Sequence, residues 1–150
     1  MHSDILQPVA ILAAWTMVMW LWMYATRLPA INKLPKDHSS DADVGWTSAK
    51  LEELLPAKTQ WKAHNYNHLH EQPTIFYAVA LSLAFMGAGD GFNAQIAWVY
   101  VILRIIHSLF QSLINRVAVR FGIFALASLA LIMLTVHAVI TAFSENMPHV

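Results

Sequence analysis

The chain has 150 residues, of which 57% are hydrophobic and only 12% charged, with a formal net charge of zero and a mean hydropathy of +0.48. That is too apolar for an ordinary soluble domain of this length, so the composition reads as an integral membrane protein whose first partner is the lipid bilayer. Zero net charge gives no sign of a nucleic-acid partner, and a chain without cysteine has no disulfide, thiolate metal site or protein thiol nucleophile.

Four windows approach the roughly 20 apolar residues that cross a bilayer core of about 30 Å: residues 5–26, 73–88 with a polar lead-in, 94–114 and 121–143. They predict a single all-α domain over residues 1–150. It is an integral membrane four-helix bundle with helices near 5–28, 59–88, 93–115 and 117–143, and a cytoplasmic loop near 31–58.

The N-terminus lacks the basic n-region of a cleaved signal peptide, so the first apolar run is expected to stay as a transmembrane helix. Trp15, Trp20, Trp22 and Tyr24 crowd its second half, as near a membrane interface, and Arg27 and Pro29 are expected to end it. The following loop carries an acidic, serine-containing run (Asp37, Ser39, Ser40, Asp41, Asp43) that cannot bury enough surface to fold alone. Ser48 can cap a short helix through Leu55. Its Leu51, Leu54 and Leu55 share a face that suits either the membrane surface, with Trp46 just before it, or a solvated linker.

The second helix is expected to begin near Thr59 and enter the membrane near Pro73. His64, Asn67, His68 and Glu71 recur at i, i+3, i+4 and i+7, on one stripe, and Pro73 predicts a kink beside Glu71. Gly87, Gly89, Asp90 and Gly91 form a tight turn, because no lysine or helix-opening hydroxyl follows at P-loop spacing. On the third helix Tyr100, Arg104, His107, Ser108, Gln111 and Asn115 again share one face, so two polar stripes are expected to confront each other. The fourth helix reads as scaffold, with His137 alone ionisable in its apolar part and Ala125, Ala127, Ser128 and Ala130 allowing close packing. Basic residues crowd the first and third connections (Arg27, Lys33, Lys36, Lys50, Lys58, Lys62, Arg116, Arg120), and the second has none. The positive-inside rule therefore puts the first and third connections in the cytoplasm and both termini on the other side.

A charge at mid-bilayer depth costs about 2.5–3.5 kcal/mol on insertion scales, so an arginine within a transmembrane run marks a functional site and needs a partner. Glu71 is the partner expected for Arg104. Such a pair can serve only to fix helix register, since desolvation roughly cancels its attraction. It can also belong to an anion or peptide site, because His64, Asn67, His107, Gln111, Arg116 and Arg120 lie on the same stripes or at their cytoplasmic ends. His64, His68 and His70 with Glu71 offer a third, histidine-based metal reading, weakened because His70 points about 200° away from His68 at 100° per residue.

Residues 61–76 (WKAHNYNHLHEQPTIF) followed by 100–121 (YVILRIIHSLFQSLINRVAVRF) resemble the MAPEG family of membrane-associated proteins in eicosanoid and glutathione metabolism. Nearly the whole chain takes part in the resemblance. It implies a homotrimer that binds glutathione between subunits near the cytoplasmic side, and a glutathione transferase or peroxidase acting on a lipophilic small-molecule substrate. Asn67, Pro73 and Arg104 match the family's asparagine, proline and third-helix arginine. Ala63 stands where the family has an arginine, His70 where it has a glutamate, with Glu71 next to it, and His107 where it has a tyrosine.

The resemblance then implies binding residues His64, Asn67, Glu71, Arg104, Gln111, Arg116 and Arg120, no metal, and thiolate stabilisation by Arg104 or a protonated His107. A noncatalytic scaffold or lipid-binding trimer with the same fold is the alternative.

Overall fold

The computed structural model describes residues 3–34 and 47–144. The acidic run at Asp37–Asp43, Lys36 and Trp46 lie outside the described residues. The described residues form six α-helices in order: α1 (Leu6–Ile31), α2 (Ser48–Leu54), α3 (Ala57–His68), α4 (Gln72–Phe85), α5 (Phe92–Leu113) and α6 (Val117–Ser144).

The expectation of four helices is therefore corrected on two counts. The short helix before the second span is real, but Thr47 rather than Ser48 caps it, its side chain accepting from the Lys50 amide at 3.2 Å. The second span is not one kinked helix. It stops at His68 and restarts at Gln72, with Glu71 between at φ −87°, ψ −97°. Pro73 has no N–H to continue the ladder into α3, and in the first turn of α4 that lack costs nothing. Pro29, expected to end the first helix, sits inside the last turn of α1, where it costs one backbone bond and the helix runs on to Ile31.

Among the described residues three helices are long and apolar enough to cross a membrane: α1, α5 and α6, of 26, 22 and 28 residues. With its 14 residues, α4 spans only about 21 Å at 1.5 Å per residue, so a fourth crossing needs the polar α3 beneath it. Large apolar side chains face outward along the bundle, among them Leu21, Leu129, Ile132, Val136 and Ile140, an arrangement that lipid satisfies and water does not. The chain is a multi-pass membrane protein.

α5 lies at the centre. It forms a close hairpin with α6 and also packs on α1 and α3, while α4 packs on α6 and α1. Leu12, Met19, Phe76, Leu83, Val101 and Leu134 fill the core, with the Phe76 and Tyr100 rings stacked at 4.5 Å. The glycine turn ties down the start of α1: the Ile5 amide donates to the Gly89 carbonyl at 3.0 Å, and Asp90 accepts from the Asp4 amide at 2.7 Å. At the other end of the bundle Lys62 lies over the Trp22 ring, joining α3 to the last third of α1. α2 and the start of α3 meet the α5–α6 turn there. The basic residues Arg27, Lys58, Lys62, Arg116 and Arg120 thus gather at one end, and Asp4 and Asp90 at the other.

Candidate functional site

The two polar stripes do not face each other as expected. The stripe of α5 points into the protomer, with Tyr100, Arg104, His107, Ser108 and Gln111 all buried. On α3 the buried side is one residue offset from the expected one: Asn65 is buried, while His64, Asn67 and Glu71 are exposed and His68 is half-buried. Asn115, expected on the α5 stripe, lies beyond that helix with φ 56°, a left-handed conformation that asparagine tolerates at a helix end.

Arg104 is the largest fully buried side chain, 1% exposed, and it does not pair with Glu71. Its Nη2 donates to the main-chain oxygen of His68 at 2.8 Å. The break between α3 and α4 explains this choice. A helix that ends at His68 leaves its last carbonyls without intrahelical donors and concentrates partial negative charge there, which a guanidinium complements. Glu71 instead accepts from His68 Nδ1 at 2.5 Å. Among the described residues the Nε and Nη1 of Arg104 have no hydrogen-bond partner, and neither do Gln111 Oε1 and Ser112 Oγ.

Beside this buried charge lies a slot of about 180 Å³ lined by His68, His107, Val117, Arg120, Phe121 and Phe124. The His68 ring is 5.2 Å from His107 and stacks on Phe124 at 5.5 Å, and the Arg104 guanidinium carbon stands 5.9 Å over the same Phe124. Arg104 is thus one aromatic ring away from the slot. Arg120 donates from Nη1 to Asn115 Oδ1. Asn115 in turn lines a second cavity of about 300 Å³ with Glu52, Ala57, Gln60, Trp61 and His64, in which His64 Nε2 contacts Glu52 Oε1.

Of the residues singled out in the sequence, the slot joins His107 and Arg120 directly and Arg104 through Phe124; His64 lies in the neighbouring cavity. Gln111 is buried on α5 below His107, and Asn67, Glu71 and Arg116 lie on the protomer surface. Among the described residues no three of His, Cys, Asp and Glu converge as a metal site.

The model of the MAPEG family matches residues 5–140. The chain belongs to the MAPEG family. No curated protein and no solved structure matches it.

Several residues that hold this candidate site together were not singled out in the sequence. Asn65 donates to Ser108 at 2.6 Å, both wholly buried, and fixes α3 against α5. Gln72 donates to Ser128 at 2.8 Å and accepts from the Tyr100 hydroxyl at 3.5 Å, joining α4, α5 and α6 just past the break. Phe124 forms the floor between Arg104 and the slot. The spacing of Trp61, Asn65 and Leu69 at i, i+4 and i+8 is the signal that marks the inner face of α3, because it carries the apolar Leu69 that the outer stripe lacks.

Proposed function

We propose that the protein binds glutathione at the basic, cytoplasm-facing end of the bundle, in a homotrimer, and either conjugates it to lipophilic electrophiles or uses it to reduce hydroperoxides dissolved in the bilayer. The observation that carries this reading is the buried Arg104 guanidinium. Two of its N–H-bearing nitrogens are unpaired, and it stands one ring behind a slot lined by His107 and Arg120. A buried charge met by partial charges alone is costly unless it serves a negative group nearby.

A glutathione thiolate in the slot meets that need. A thiol of pKa about 8.5 ionises more readily beside cations, so the fields of Arg104 and Arg120 hold it as the thiolate, with His107 against the sulfur. In conjugation the sulfur lone pair forms a C–S bond as the bond to the leaving group breaks, and the leaving group departs with those electrons. With a hydroperoxide the sulfur attacks the distal oxygen and the O–O bond breaks. The lipid alkoxide takes a proton, and a second glutathione reduces the sulfenic acid to a disulfide and water. The exposed His64, Asn67, Glu71 and Arg116 supply the polar face that a second copy of the chain would cover.

Calorimetric titration of the detergent-purified protein with glutathione, recording thiolate absorbance in the ultraviolet, tests the reading beside Arg104→Ala. Saturable binding with a thiolate signal is expected, both lost in the variant while the oligomer persists. No heat in an intact oligomer overturns it.

The burial of the α5 stripe inside one protomer favours a second reading, a noncatalytic membrane scaffold or lipid-binding trimer. In it Arg104–His68, Asn65–Ser108 and Tyr100–Gln72 only tie helices together. Under that reading the Glu71→Ala, Arg104→Ala double variant changes assembly, and no thiol ligand binds to the parent.

A further inference from the structure

The slot opens toward lipid. Val117 and Phe121 stand at its rim, both exposed on the apolar outer face of α6. A thiol that ionises there needs an inner route for its proton, because hydrocarbon does not solvate a charge and the guanidiniums of Arg104 and Arg120 repel one.

The buried stripe of α5 offers that route. His107 lines the slot and Asn115 lines the second cavity, under α2, and Gln111 stands four residues from each. α3 repeats the register from the other side, with His68 in the slot and His64 in the cavity. Gln111 is 4% exposed and Ser112 wholly buried, yet among the described residues neither Gln111 Oε1 nor Ser112 Oγ has a hydrogen-bond partner. Internal water ordinarily satisfies buried polar atoms of this kind. A four-residue helical step advances about 6 Å, twice a hydrogen bond of about 2.8 Å, so one water spans each step. At the cavity Glu52 and His64 touch each other with both side chains exposed, a carboxylate and an imidazole that pass a proton to the cytosol.

We propose that Gln111, with Ser112, holds water between the slot and the cavity and so carries the thiol proton from His107 to Glu52 and His64. Gln111 is a positioning residue. The S–H electron pair stays on sulfur, and an imidazole nitrogen of His107 takes the proton. The water on Gln111 Oε1 accepts that proton and passes on one of its own, which ends on Glu52 or in bulk water, so no other reactant is consumed. Two cations behind the proton and a carboxylate ahead of it set the direction. This role rests on the glutathione reading, and it differs from the peptide contact that the resemblance implies for Gln111.

Stopped-flow mixing of the detergent-purified full chain with glutathione in weak buffer tests the proposal. Thiolate absorbance and an indicator dye are read together, and calorimetry gives the affinity. In the parent, thiolate and released proton are expected to rise at one rate that added imidazole leaves unchanged. Gln111→Met, of similar volume, should keep the affinity and the final thiolate signal while both rates fall about a hundredfold, the low end for a positioned proton-transfer group. Imidazole should restore those rates, and Gln111→Glu, which keeps an acceptor oxygen, should match the parent.

A parental rate that climbs with imidazole overturns the proposal without any variant. Parental rates in Gln111→Met overturn it too, as does a slowed rate that imidazole does not lift, the mark of a merely structural role. Lost affinity at an unchanged rate makes Gln111 a peptide contact and also overturns it. A parent that binds glutathione and releases no proton overturns the route alone. A parent that gives no binding heat removes the glutathione reading itself, and the proton route with it.

Discussion

The guanidinium of Arg104 donates to the main-chain oxygen of His68 at 2.8 Å, so the buried charge of α5 is met by the end of a helix and not by a carboxylate. The break before Pro73 creates the acceptor that the arginine uses. Replacing Arg104 by lysine keeps the charge but replaces a planar fork by a single ammonium. Glutathione affinity in Arg104→Lys is expected to fall by less than about tenfold, because the charge behind Phe124 is kept while the bond to the His68 oxygen is weakened, with the thiolate absorbance retained. In Arg104→Gln that absorbance should disappear. An equal thiolate signal in both variants would show that the charge plays no part.

Asn65 and Ser108 are both wholly buried and bonded to each other across the α3–α5 contact at 2.6 Å. Removal of either leaves a buried polar group alone and is expected to cost about 1–2 kcal/mol, with a coupling near 0.6 kcal/mol typical of bonds between membrane helices. A double-mutant cycle of Asn65→Ala and Ser108→Ala, read by unfolding in detergent, measures it. Strict additivity would show that the bond contributes nothing.

Gly89 and Gly122 should respond oppositely to alanine. A Cβ at Gly89 collides with Ser3 Oγ and Ile5 Cγ2 and comes within 3.1 Å of the Ala84 Cα, whereas one at Gly122 meets nothing within 4 Å. Gly89→Ala is expected to destabilise by about 1–3 kcal/mol through overpacking. Gly122→Ala, on an open face of α6, should stabilise by about 0.5–1 kcal/mol. Thermal midpoints of the two variants in one detergent decide this, and a shift of the same sign in both contradicts it.

The orientation expected from the collected basic end is checked by thiol labelling, since the chain has no cysteine to remove. Lys58→Cys, on exposed α3, should react with a membrane-impermeant maleimide only from the cytoplasmic side. Phe92→Cys, exposed at the opposite end, should react only from the other side. The reverse pattern would invert the topology and put the slot on the wrong face.

Hydropathy made the apolar runs legible because a membrane helix is specified by composition alone. α5 and α6 run over Phe92–Leu113 and Val117–Ser144. Glu71 illustrates where that stops. Its charge and its place in the preceding hydrophobic segment make it the expected partner of Arg104, but the chain breaks at Glu71 and turns its side chain outward onto His68. Asn65 was hidden by the opposite error: an asparagine among histidines looks like part of an exposed polar surface until the orientation of α3 is known.

By itself the sequence determined the membrane class, the apolar runs, the glycine turn, the family resemblance and the presence of an arginine within the third apolar run, since each depends on local composition or spacing. Only the tertiary structure decided that α3 and α4 are separate helices, that His68 supplies the acceptor for Arg104, and that Glu52 and Asn115 line one cavity. Those pairings join residues far apart along the chain. They depend on how each helix is rotated about its axis, which packing of the whole bundle sets and local periodicity does not.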